Sequence, residues 1–204
     1  MSVDRIESAL RPLADPGRSP GMAAYMREQF PFLGIPTPVR RRAVKGLLPR
    51  ALDRELVEDL WELPEREFQY VACDHLQKVP LESAAADFLR SLVVRKSWWD
   101  TVDALAKPVG RASTPAQMRD WAREENLWVR RVAVLHQLGR REATDTALLG
   151  EILAANLDSG EFFLDKAVGW ALREYSKTDP AWVRGFLAGH EVAALTRREG
   201  SKYL

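Results

Sequence analysis

Trp99 and Asp103 stand four residues apart in the stretch Ser97-Trp98-Trp99-Asp100-Thr101-Val102-Asp103. On a helix this spacing puts the indole and the carboxylate on one face, a single turn from each other. Val102, Leu105 and Ala106 continue an apolar stripe beside them, so Asp103 falls at the margin of a face that must pack. A charge in that position is costly unless a cation pairs with it. Two readings are open. Asp103 is either salt-bridged to an arginine of a neighbouring helix in a structural network, or its charge is held there for chemistry.

Other residue types offer less. His75, His136 and His190 are scattered without metal-ligand spacing. No glycine-rich phosphate loop and no Ser-His-Asp order stands out, so neither a metal nor a cofactor is expected. Cys73, the single cysteine, lies in the apolar run Tyr70-Val71-Ala72-Cys73 and fills core space. Trp61, Trp98, Trp121, Trp128 and Trp182 read as packing aromatics.

The elements that position Asp103 are helical. Apolar residues recur at three- and four-residue intervals, and no region alternates in the manner of a strand. The pattern predicts helices over about 3–13, 20–30, 38–48, 53–63, 66–78, 82–94, 98–110, 115–125, 127–139, 144–157, 161–177 and 180–188. Proline and glycine punctuate the junctions. The connections are short, so successive helices should run antiparallel within one domain spanning 1–204.

A weak repeat runs through this pattern. Phe68, Trp98, Trp128 and Phe163 each begin an apolar helix, at spacings of 30, 30 and 35 residues. Such a period suits stacked helix pairs of the HEAT kind, which form a curved solenoid with a concave surface. Three residues after each aromatic come Val71, Thr101, Arg131 and Lys166; five after come Cys73, Asp103, Ala133 and Val168. Packing alone does not ask for Asp103, Arg131 or Lys166 in those registers.

Composition sets outer bounds. The 204 residues are 46% hydrophobic and 29% charged, with a net charge of +1, the profile of an ordinary globular chain. No apolar run is long enough to span a bilayer, and the first residues lack the layout of a signal peptide. With a lone cysteine, these features favour the cytoplasm. Near-neutral net charge does not announce a nucleic-acid binder. The basic residues are nevertheless clustered, as in Arg40-Arg41-Arg42, Arg130-Arg131, Arg140-Arg141 and Arg197-Arg198. They either share a surface or occupy solvated helix ends.

Taken together, Trp98 to Asp103, Leu127-Trp128-Val129-Arg130-Arg131-Val132 and Glu161-Phe162-Phe163-Leu164-Asp165-Lys166-Ala167-Val168-Gly169-Trp170-Ala171-Leu172-Arg173 resemble the AlkD-type DNA alkylation repair glycosylases. Ala24-Tyr25-Met26, Phe30 to Ile35 and Pro38-Val39-Arg40-Arg41 resemble that family too, and the likeness covers roughly residues 20 to 200 in order. The resemblance implies an all-α, right-handed superhelical solenoid of antiparallel HEAT-like helix pairs, cradling duplex DNA in a basic concave groove. It implies a monomer that hydrolyses the N-glycosidic bond of cationic N3- and N7-alkylated purines, without a cofactor, in the cytoplasm at the nucleoid. Members can run on for a further helical stretch, so a narrower DNA footprint is expected of a chain stopping at Leu204.

By position, the resemblance makes Asp103 the catalytic carboxylate and Trp99 and Trp170 the active-site indoles. It makes Arg131 a phosphate contact near the lesion. Tyr25, Phe162 and Phe163 fall beside the site, and Lys166, Arg173 and Arg41 are further expected DNA contacts. Two alternatives use the same scaffold: a non-catalytic binder of damaged or structured DNA, and a HEAT-type protein-interaction scaffold.

Overall fold

The computed structural model describes residues 2–157 and 159–204. Every regular element among them is helical, so the chain is all-α. The backbone forms two compact units, Met1–Leu81 and Glu82–Leu204.

The first unit contains α1 (Val3–Leu10), α2 (Ser19–Tyr25), α3 (Thr37–Ala43), α4 (Arg54–Glu62) and α5 (Arg66–Leu76). Its core gathers Ile6, Leu10, Ile35, Leu60, Trp61 and Phe68, all removed from solvent. Glu67 is fully buried and organises the Phe30–Ile35 stretch. Its carboxylate accepts from the backbone N–H groups of Leu33, Gly34 and Ile35 at 2.9, 2.9 and 3.0 Å. Three charge-assisted bonds of this kind make a buried carboxylate tolerable. Gly34 has φ +87 and lies against the Asp15 carbonyl oxygen, so no side chain fits there.

Two helices of this unit are shorter than the periodicity predicts. The helix expected over 20–30 ends at Tyr25, and Arg27 and Glu28 adopt left-handed φ of 55 and 56. The helix expected over 38–48 ends at Ala43, and Gly46 turns the chain at φ +82. Both expected extensions rest on apolar residues that instead pack from irregular backbone.

The second unit contains α6 (Ala86–Val93), α7 (Trp99–Ala112), α8 (Pro115–Trp121), α9 (Leu127–Leu135), α10 (Thr146–Ala154), α11 (Phe162–Tyr175), α12 (Pro180–Gly189) and α13 (Ala194–Gly200). Its helices start where capping chemistry allows. Thr114 and Gln117 form a reciprocal capping box before α8, and the Asn126 side chain accepts from Trp128 N–H at the start of α9. Asp145 and Asp179 cap α10 and α12 in the same way.

In this unit α9 packs between α7 and α11, and α13 packs along α11. Two glycines set these approaches. A β-carbon at Gly110 on α7 would run into the carbonyl oxygen of His136, just past α9. A β-carbon at Gly169 on α11 would lie 2.6 Å from the β-carbon of Glu199 on α13. Helix α13 itself is absent from the periodicity reading. Its buried residues are Thr196, Glu199 and Gly200, which make no apolar stripe.

Candidate functional site

Helices α7, α9 and α11 bring the unusual residues of the repeat together. Trp98, Trp128 and Phe163, which lead into these three helices, form one aromatic cluster. Their ring centroids are 5.6 Å apart for Trp98–Trp128, 5.1 Å for Trp98–Phe163 and 5.3 Å for Trp128–Phe163. Such tilted and edge-on pairs lock relative helix position beyond the area they bury. From those starts, Asp103 and Arg131 come into contact, and Lys166 comes within reach of Asp103 by charge.

There Arg131 of α9 holds Asp103 of α7 in a two-point fork. Nε donates to Oδ1 at 2.7 Å and Nη2 donates to Oδ2 at 2.8 Å. Nη1 donates to the carbonyl oxygen of Phe163 at the start of α11. One guanidinium thus ties three helices. Arg131 is only 4% exposed, while the Asp103 side chain keeps 17% exposure. The carboxylate is the member of the pair that reaches the surface.

The electrostatics of Asp103 are a contest. Burial pushes its carboxyl above the ordinary range; Arg131, through hydrogen bonds and charge, and Lys166, through charge, pull it down; Asp100 adds to the rise. The net direction is upward. A bidentate arginine keeps the buried group ionisable and fixes its orientation.

The surrounding side chains follow from helical register. Trp99 lies one turn before Asp103 on α7, and Lys166 lies one turn before Trp170 on α11. Trp99 and Trp170 are both half-buried, and Lys166 is exposed. Phe162 is 51% exposed, packs edge-on against Phe163 at 5.4 Å, and lies under the Lys166 ammonium at 5.6 Å. The region therefore combines one oriented carboxylate, two partly exposed indoles, an exposed phenyl ring and an exposed cation.

Several expected DNA contacts are already engaged. The resemblance puts Arg131 at a phosphate; its side chain is buried and commits three N–H groups within the protein. Arg173 donates to Glu199 of α13 at 2.6 Å. Arg41, in the first unit, grips Asp74 at 2.7 Å, although its side chain is 56% exposed. Burial alone would push Asp74 up, but Arg41 and the buried Arg40 together leave its carboxyl below the usual range. Tyr25, also in the first unit, is 72% exposed.

One partner lies beyond sequence reading. The Phe163 carbonyl that anchors Arg131 is a backbone group, and no residue type signals it. Of the residues read as packing, Trp61, Trp121 and Cys73 are buried. Trp182 stacks on Phe186 and meets Tyr175 edge-on, each at 5.4 Å. Among the described residues no group of three His, Cys, Asp or Glu side chains is placed to hold a metal ion, and no helix is long and apolar enough to cross a membrane.

Comparison with known proteins extends this picture. No curated protein matches the sequence. Among solved structures, the chain is similar to a predicted DNA alkylation repair enzyme from Enterococcus faecalis. The match has 36% sequence identity and a TM-score of 0.85, covering 94% of this chain and 96% of that one. The family model of the DNA alkylation repair enzymes matches residues 6–204. Asp103, Arg131 and the helices that join them lie inside that span, and the chain belongs to the DNA alkylation repair enzyme family.

Proposed function

We propose that the protein is a DNA glycosylase that hydrolyses the N-glycosidic bond of cationic N3- and N7-alkylated purines in duplex DNA. The observation that carries this reading is the Arg131 fork on Asp103, which aims a partly exposed carboxylate beside Trp99 and in register with Lys166 and Trp170.

The chemistry asks for little more. An N3- or N7-alkylated purine already bears positive charge, so the bonding pair can leave with the base as a neutral molecule. The deoxyribose is left as an oxocarbenium ion, which water attacks at the anomeric carbon, releasing a proton. Asp103 stabilises that cation electrostatically and orients the water. The faces of Trp99 and Trp170 favour a cationic sugar or base by ~1–2 kcal/mol each once desolvated. Phe162 and Phe163 border the same region. No general acid is required, because the leaving group needs no proton.

Arg131 works first as a positioning residue, since it holds both oxygens of Asp103. A guanidinium has five N–H donors, and three are spoken for. The remaining two are those that a phosphate near the lesion would use. Lys166 and Arg173 on α11, and Arg41 and Tyr25 in the first unit, are proposed DNA contacts. In this reading a monomer of one domain, in the cytoplasm, holds duplex DNA in a concave groove of HEAT-like helix pairs.

A second reading, non-catalytic binding of damaged DNA, is favoured by the fact that Arg131 already neutralises Asp103. Base release separates the two. Incubation with duplex DNA carrying 7-methylguanine or 3-methyladenine is expected to release those bases. Neutral uracil, hypoxanthine and 8-oxoguanine should stay, since they depart poorly without protonation. DNA binding with no base released supports the second reading.

A further inference from the structure

The first unit carries a separate basic pocket. It is a partly open cavity of about 320 Å³ between the end of α3, the loop that follows it and the last turn of α5. Arg41, Lys45, Arg50 and Lys78 line it, against one carboxylate, Asp74. That carboxylate is already held by Arg40 and Arg41. Lys45, Arg50 and Lys78 are exposed and have no ion-pair partner among the described residues. Three uncompensated cations around one concavity focus a positive potential into it.

A second observation points the same way. His75 lines the pocket and is 1% exposed. Its Nε2 accepts from the backbone N–H of Asp53 at 3.4 Å. A backbone amide only donates, so the neutral ring carries its proton on Nδ1. That buried Nδ1 has no hydrogen-bond partner, and an orphaned donor of this kind is costly. The imidazole borders the pocket, beside the cations that an anion entering it would meet. Val44, Leu48, Pro49 and Val79 supply an apolar wall, suited to the sugar or base attached to such an anion.

We propose that this pocket binds a phosphate group of a nucleotide, with Lys45, Arg50 and Lys78 as its charge contacts. The site is independent of which bond is cleaved at Asp103. Two sources share this chemistry: a free mononucleotide, and a nucleotide unit of a bound DNA strand.

The test uses the full chain and the combined variant Lys45→Gln, Arg50→Gln, Lys78→Gln, with Arg5→Gln on exposed α1 as a control for reduced surface charge. Calorimetry with inorganic phosphate and with deoxyadenosine monophosphate reads the first source. Affinity for undamaged duplex across a salt series reads the second. If free nucleotide is the ligand, the monophosphate binds the wild type and the triple variant loses at least tenfold, with duplex affinity unchanged. If a DNA strand is the ligand, duplex affinity falls and the log–log salt slope flattens by roughly 0.9 for each phosphate that is no longer neutralised, while the monophosphate stays weak. The proposal is overturned if phosphate and monophosphate fail to bind the wild type and the triple variant matches Arg5→Gln in duplex affinity and slope. All three substituted side chains are exposed, so an unchanged melting curve accompanies either supporting result. Base release from alkylated duplex, measured in parallel, keeps failure of this site distinct from failure of the glycosylase reading.

Discussion

Arg131 and Asp103, 28 residues apart in sequence, are joined by two parallel hydrogen bonds of 2.7 and 2.8 Å. The arginine is buried and the carboxylate reaches solvent. The pair is therefore an oriented charge as well as a tie between helices. Removing the cation alone leaves a largely buried carboxylate unpaired. Arg131→Ala is expected to lower stability by about 3–5 kcal/mol and to reduce base release as well. Adding Asp103→Ala to it should restore much of the stability and none of the activity. Chemical denaturation of the two singles and the double gives the coupling directly. An additive double would mean that the fork contributes nothing.

Base release should depend on pH through Asp103. The group must be ionised to stabilise a cation, and burial raises its carboxyl above the ordinary value. Activity therefore falls as pH drops through a midpoint higher than that of a free aspartate. Single-turnover rates from pH 4 to 8 should show one acid limb in the wild type. A residual rate in Asp103→Asn that keeps the same limb would assign the titration to another group.

Stability should depend on pH through His136. Burial lowers its imidazole to about 4, while the ring stays bonded to the Ala133 carbonyl at 2.6 Å. The unfolded chain then takes up the proton first. The stabilisation is complete above the ordinary histidine value of 6.5 and is lost progressively as pH falls towards 4. A shift of this size corresponds to about 3 kcal/mol. Urea midpoints at pH 7.5 and pH 4.5 should differ more in the wild type than in His136→Gln; equal differences would remove His136 as the cause.

The close crossing at Gly110 supports the site from a distance. Gly110→Ala drives a methyl group into the His136 carbonyl and must push α7 away from the end of α9. A loss of roughly 1–3 kcal/mol is expected from overpacking of this kind, with reduced base release although no site residue is altered. Thermal melting and base release on the same sample check this; full activity in the variant would show that the crossing can shift without disturbing Asp103.

Much of this arrangement is legible in the sequence, for identifiable reasons. Trp98, Trp128 and Phe163 lead amphipathic helices at a near-constant period, and their rings do meet. The same register marks Asp103, Arg131 and Lys166 as out of place for packing. It cannot say that Arg131 turns inward to Asp103, because that depends on α9 lying beside α7. The family resemblance suggests an outward Arg131 at a phosphate and a DNA contact at Arg173, whose partner Glu199 sits on α13. That helix escapes a periodicity reading, since Thr196, Glu199 and Gly200 bury polar and backbone surface. Glycine approaches are equally silent: Gly110 and Gly169 read as weak points in helices until their neighbours are known.

The most direct test of the central claim is the rate of 7-methylguanine release from duplex DNA by Asp103→Asn, measured under single turnover beside its DNA affinity and melting temperature. The substitution keeps the shape of the side chain and removes its charge. The expected loss in rate is roughly 10²–10³-fold, the scale of deleting one preorganised electrostatic group, with affinity nearly unchanged and the variant folded at the assay temperature but with a lower melting temperature, since the buried Arg131 loses its counter-charge. A folded variant that releases the base at close to the wild-type rate would contradict the account and leave the Asp103–Arg131 pair as a structural tie alone.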